Sequence, residues 1–223
     1  MGSVDFAVKV LVSYINARGI GGEWGQQDFY DKFWADMKTV YDEFVQHMEN
    51  TDQDATYGQL CATAAQLENP DAMLQSDRVV CEFMLGALLF KHGLDVSGAR
   101  RSEKGPEDHG QQVHGYMTCI IVNVFIQHIL GDACLKTEGA QYAEQAIHGL
   151  LQPNSGLEQH ASCDGVNLAT TRVAGGHLRN KIGDWIKKEK STWGDTAAAG
   201  ILSSRCQNWS EGGQTPRGTA QKD

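Results

Sequence analysis

Six cysteines and eight histidines are the side chains best suited to covalent or metal chemistry in this 223-residue chain. The cysteines, Cys61, Cys81, Cys119, Cys134, Cys163 and Cys206, are even in number, and no two stand closer than 15 residues. That spacing excludes C-x-x-C zinc knuckles. Two readings remain: six buried thiols in a reducing compartment, where cysteine packs as a small apolar residue, or three disulfides in an oxidising one. The even count favours disulfides, each expected to stabilise the fold by about 2–4 kcal/mol through restriction of the unfolded chain. All six cysteines are therefore the candidate site residues, as disulfide partners whose pairing stays open. Among the histidines, His109 and His114 are five apart and fall on different helical faces, and no H-E-x-x-H occurs. Glu144 and His148, four apart, can share a face, which is ordinarily a surface contact. Cys163 near His160 could pair a nucleophile with a base only with a third orienting group and an electropositive pocket. "GIGGEWG" at 19–25 misses the dinucleotide spacing, and "GARRSEKG" at 98–105 misses the order of a P-loop. No catalytic, cofactor-binding or metal-binding residue is expected, and the chain is read as non-enzymatic.

A formal net charge of -9 argues against nucleic acid, which requires a basic face. With 41% hydrophobic and 21% charged residues, the chain has enough apolar content to fold around a sizeable core. The opening "MGSVDFAVKVLV" has no basic start, and Asp5 and Lys9 interrupt it, so it is not a signal peptide. "CIIVNVFIQHIL" at 119–130 is the most apolar stretch, yet it falls well short of the roughly 20 residues a bilayer requires. It is expected at the centre of a helical bundle, with no membrane contact by this segment.

Helical periodicity dominates. Residues 5–18 give a first helix with Phe6, Val10, Val12 and Ile15 expected inward, and residues 27–49 a second with an aromatic stripe of Phe29, Phe33, Met37, Val40 and Phe44. A short helix over 57–68 contains Cys61. Asn69 and Pro70 are placed to open the next helix, which runs to about residue 92 and carries "VVCEFMLGALLF". That apolar run is the expected neighbour of 119–130. Residues 94–112 are polar and glycine-containing and are expected to form an exposed loop. "GDAC" at 131–134 breaks or kinks the central helix; further helices are expected over 138–151 and about 176–190. Residues 152–166 form a second polar connection, and 210–223 a disordered tail or linker. The domain reading is one helical, cysteine-containing domain over 3–209. The fold class is all-α, a disulfide-stabilised helical bundle with long polar loops.

The succession "VCEFMLGALLF", a charged glycine-containing loop, "YMTCIIVNVFIQHILGDAC", "GAQYA", a tryptophan-containing last helix and Cys206 resembles a known family. It is similar to the N-terminal extracellular alpha domain of the SICA (schizont-infected cell agglutination) variant antigens of Plasmodium. "EWGQQDFYDKFWADMKTVYDEF" fits the same pattern, and Cys81 to Cys134 is its most specific part. The resemblance implies a module of a larger, membrane-anchored antigen on the extracellular face of the infected red-cell membrane. It implies antigenic variation, with host antibodies as partners, and interaction with an unidentified host-cell receptor. Asn208 lies in an N-glycosylation pattern, which the resemblance implies stays unmodified. The residues themselves keep two alternatives in view: a soluble helical enzyme or small-ligand carrier with a pocket lined by the aromatic stripe, and an intracellular scaffold with reduced cysteines.

Overall fold

Apolar side chains recur at nearly every helical angle between residues 113 and 130, so burial on all sides removes most surface from water. The computed structural model describes residues 3–19, 25–51, 55–99, 109–151, 163, 166–168, 170–193, 202 and 206. In it this stretch belongs to α5 (His109–Ile129), with Ile120, Ile121, Val122, Val124 and Phe125 all buried. Its 21 residues make a rod about 31 Å long. The remaining helices are α1 (Ser3–Arg18), α2 (Gln26–Thr51), α3 (Ala55–Ala64), α4 (Gln75–Lys91), α6 (Gly131–Cys134), α7 (Glu138–Leu150) and α8 (Leu178–Trp193). α1, α2, α4 and α8 pack on α5, while α7 lies against α3 and α4. A 3-10 turn, Pro70–Ala72, precedes α4, and strands β1 (Arg172–Val173) and β2 (Gly176–His177) form an antiparallel hairpin before α8. The described residues thus form the expected disulfide-stabilised helical bundle: Cys61 is bonded to Cys81, Cys119 to Cys163 and Cys134 to Cys206.

The aromatic stripe of α2 is filled by rings of the same chain. Phe44 meets Phe90 of α4 at 5.2 Å and Phe125 of α5 at 4.6 Å between ring centroids, both edge-on. Phe33 packs edge-on against Tyr14 at 5.2 Å, and Trp34 against Trp185 at 6.1 Å. Such contacts add about 0.5–1.5 kcal/mol each beyond the area they bury. These contacts make the stripe core packing.

Several elements differ from the sequence expectation, each for a local reason. On α1 the buried residues are Phe6, Val10 and Tyr14, spaced four apart on one face; Val12 and Ile15 point outward, 50% and 38% exposed. α3 stops at Ala64 because Gln66 takes a left-handed φ of 57° and Leu67 donates its backbone N–H to Ala62 O at 2.8 Å. Asn69 does act as a cap, accepting from Asp71 N at 3.0 Å, but it caps the 3-10 turn, and α4 begins later at Gln75. The expected loop over 94–112 is shorter at both ends: Leu94 is fully buried and 109–112 are already helical. α8 begins at Leu178, because residues 176–177 are strand, and it extends to Trp193. Gly175, at φ +74°, turns the hairpin so that its backbone lies over Tyr30, and Trp34 Nε1 donates to Ala174 O at 3.0 Å. The expected tail at 210–223, Asn208, His160, and residues 100–108 and 152–162 lie outside the described residues.

α4 and α5 pack together as the two apolar runs require, with Phe83 stacked on Phe125 at 5.2 Å, but α4 makes its most extensive contact with α7. Gly139 permits that contact: a Cβ there would sit 2.2 Å from the backbone carbonyl oxygen of Asp77. Backbone cannot rotate aside as a side chain can. Gly139→Ala is therefore expected to destabilise the fold by about 2 kcal/mol through overpacking, outweighing the gain of up to about 1 kcal/mol from helix propensity. Thermal unfolding should show a fall in Tm of about 4–8 °C; an unchanged or higher Tm would show that α7 can shift away at no cost.

Candidate functional site

Among the described residues, no group of three or more His, Cys, Asp or Glu converges on a point where a metal ion could bind. Glu144 and His148 are both exposed on α7. His114 contacts Glu43 of α2, Nε2 to Oε2 at 3.3 Å, and nothing is described of the His109 side chain. The Cys163 sulfur is bonded to Cys119, so it offers no thiol. What the cysteines build is a set of tethers. Each joins a buried sulfur on the helical core to a second chain segment: α3 to α4, α5 to Cys163, and α6 to Cys206. Cys119 and Cys134 sit at opposite ends of the apolar run and reach different partners.

One residue of this arrangement escaped the sequence reading. Asn123, a polar residue inside the apolar run, lies one turn after Cys119 and donates its Nδ2–H to Cys119 O at 2.9 Å and to Cys163 Sγ at 3.0 Å. A half-buried amide is thereby satisfied by the helix and the tether together. The Cys119/Asn123 spacing of four residues was the available signal.

The polar connections leave this core from ordered stems. Asp95 Oδ1 accepts from Ser97 N at 2.9 Å, Ser97 Oγ at 2.6 Å and Ala99 N at 3.0 Å, and Asp95 N donates to Ala99 O at 2.9 Å. This Asx-type turn is closed by hydrogen bonds between residues close in the chain. Gly98, at φ +80°, completes the turn directly over Leu150 of α7. The second connection departs from Leu151, the C-terminal cap of α7, whose backbone N–H donates to Ile147 O at 3.0 Å.

Electrostatics between α1 and α2 serve packing. Tyr14 donates its hydroxyl to Asp36 Oδ2 at 2.6 Å, and Arg18 reaches the same oxygen at 2.5 Å through Nη2 and 3.1 Å through Nε. Burial, reinforced by the hydrogen bond to Asp36, pushes the Tyr14 phenol well above its usual range. A raised folded-state value means that this stabilisation is complete below the unfolded tyrosine value near 10 and is lost as pH rises beyond it. Tyr14→Phe is expected to cost about 1 kcal/mol at pH 7. Urea unfolding should show the two proteins converging above about pH 10; a gap constant to pH 11 would contradict the assignment.

Comparison with known protein families bears on what this tethered helical core is. The family model of the SICA extracellular alpha domain matches residues 9–185. This chain belongs to that family. The SICA alpha domain match takes in α2 to α7 entire and five of the six cysteines; Cys206 lies beyond it. The segment from Cys81 to Cys134, which carried the resemblance most specifically, falls wholly inside. No curated protein and no solved structure matches the chain. As a SICA alpha domain it is an extracellular, disulfide-bonded domain. Among the described residues no helix is long and apolar enough to cross a membrane.

Proposed function

We propose that this SICA alpha domain is a display module of a variant surface antigen on malaria-infected red cells, without catalytic activity. Its fixed core presents changeable polar connections to host antibodies. A membrane anchor elsewhere in the antigen holds it on the outer face of the cell, and a host-cell receptor is its second partner. The observation that carries this reading is the separation between core and connections. The helices are buried against one another, and three disulfides tie them to each other or to later segments of the chain. Over residues 95–108 and 152–162 the sequence holds few apolar residues, so replacements there would disturb little of that packing. Sequence can change in such segments at little cost in stability. Ring-to-ring contacts that fill the α2 stripe speak against the enzyme or carrier alternative.

The test has two arms on the intact protein. Thiol titration in denaturant without reductant should find no reactive cysteine; six would return the chain to a reducing compartment. Antibodies raised against the oxidised domain should lose binding when residues in 95–108 or 152–162 are replaced. Antibodies directed chiefly at core helices would defeat the display reading.

A further inference from the structure

α1 is apolar on two faces. Phe6, Val10 and Tyr14 point into the core, while Val8, Val12 and Ile15 lie on the other side, 53%, 50% and 38% exposed, with half-buried Leu11 beside them. Four large apolar side chains are exposed among the described residues, and three of them stand in this one stripe; the fourth, Leu74, precedes α4. Single exposed apolar residues are ordinary, but a contiguous row of them marks a face that another surface covers. The row, at 8, 11, 12 and 15, follows the three-and-four spacing of a helix seam, and no charged residue is a member of it.

The stripe reads the same from either end. Val8 and Ile15, and Leu11 and Val12, are spaced evenly about one midpoint between residues 11 and 12. A second α1 laid antiparallel about that midpoint sets each apolar member level with an apolar member, as a two-fold interface requires of its surface. Asp5 and Arg18, both exposed, are spaced about the same midpoint. The antiparallel copy therefore brings an acidic end level with a basic one and opposes the two helix dipoles, whereas a parallel copy would set like charges level. Arg18 holds Asp36 through Nε and Nη2, which leaves Nη1 for a second carboxylate. We infer that the occupant of this face is a second copy of the chain, docked through α1 in antiparallel register. α1 has 16 residues, and a helix about 24 Å long and about 10 Å wide presents a strip well under the about 800 Å² per partner of a standard interface. Area thus makes the contact weak between free copies. On the display reading above, confinement of many copies to one membrane raises their effective concentration as a linker does, and a weak lateral contact then fills.

Cross-linking captures a weak contact, and all six native cysteines are paired, so an introduced thiol is the sole free one in its chain. Val8→Cys and Ile15→Cys are made in the full chain, with Leu74→Cys as the control; all three sites are exposed, and melting curves first establish that each variant keeps the parent Tm. On mild oxidation of a mixture, the Val8→Cys chain is expected to bond to the Ile15→Cys chain at least tenfold more than to itself. Antiparallel register brings positions 8 and 15 within disulfide reach and holds two copies of position 8 about 10 Å apart along the axis. Adding Val12→Glu to both chains should lower that yield at least tenfold with Tm unchanged. An excess of Val8→Cys self-pairs would overturn the antiparallel register. Yields no greater than for Leu74→Cys, or unaffected by Val12→Glu, would overturn the docking face itself. Neither result touches the display reading, which thiol titration and antibody mapping decide separately.

Discussion

Replacing Cys134 and Cys206 together by alanine is expected to lower the unfolding free energy by about 4 kcal/mol. This bond closes a loop of 72 residues, against 44 for Cys119–Cys163 and 20 for Cys61–Cys81. In the chain-entropy account a cross-link stabilises by what it removes from the unfolded ensemble, so the longest loop contributes most. The same relation gives about 4 kcal/mol for the 44-residue loop and about 3 kcal/mol for the 20-residue loop. Double alanine replacement is the informative variant, because a single replacement leaves a thiol free to exchange. Urea unfolding of the three double variants should rank them by loop length, and the Cys134/Cys206 variant should melt about 8–16 °C lower. If loss of the Cys61–Cys81 bond proves the most damaging, native-state contacts between α3 and α4 govern the effect, and loop entropy does not.

Phe44→Ala is expected to cost about 3–5 kcal/mol. The ring is fully buried where α2, α4 and α5 meet, in edge contact with Phe90 and Phe125. Deleting it removes the transfer free energy of the ring and leaves a void between three helices. Collapse of that void is opposed by the attachments of its walls, since Cys81 holds α4 and Cys119 holds α5. Phe44→Leu fills most of the space and should cost less than about 1.5 kcal/mol. As a contrast, Leu74→Ala at an exposed site should fall within about 0.5 kcal/mol of the parent. Comparable losses at Phe44 and Leu74 in denaturant unfolding would mean that the ring cluster is not the centre of the core.

The central helix was legible from residues alone, because a stretch apolar at every angle has one stable location in a water-soluble fold. α1 was legible as a helix but not in its rotation. Val8, Val12 and Ile15 form an apolar stripe as good in pattern as Phe6, Val10 and Tyr14, and only contact with α5 selects the second. The start of α5 was hidden because Gly110, Gln111 and Gln112 carry no apolar signal; Gln112 is met there by Ser13, whose hydroxyl donates to it at 3.3 Å. The hairpin before α8 had a signal, the Gly175–Gly176 pair, but Gly176 reads as the start of the helix because strands of two residues have no periodicity. Pairing of the six sulfurs, the seat of Gly139 on Asp77 and the meeting of Gly98 with Leu150 are tertiary facts. Each joins residues far apart in the chain, and nothing local in either partner specifies the other.

The order of the bonds along the chain has a mechanical consequence. Cys119–Cys163 and Cys134–Cys206 interleave, whereas Cys61–Cys81 closes before either begins. A peptide bond cut between residues 151 and 163 leaves both fragments chained to each other by two sulfur links. One cut between residues 99 and 109 leaves no covalent connection across the gap, and the halves stay together through helix packing alone. Of the two polar connections, one is thus severable without release and the other is the seam along which the molecule can come apart.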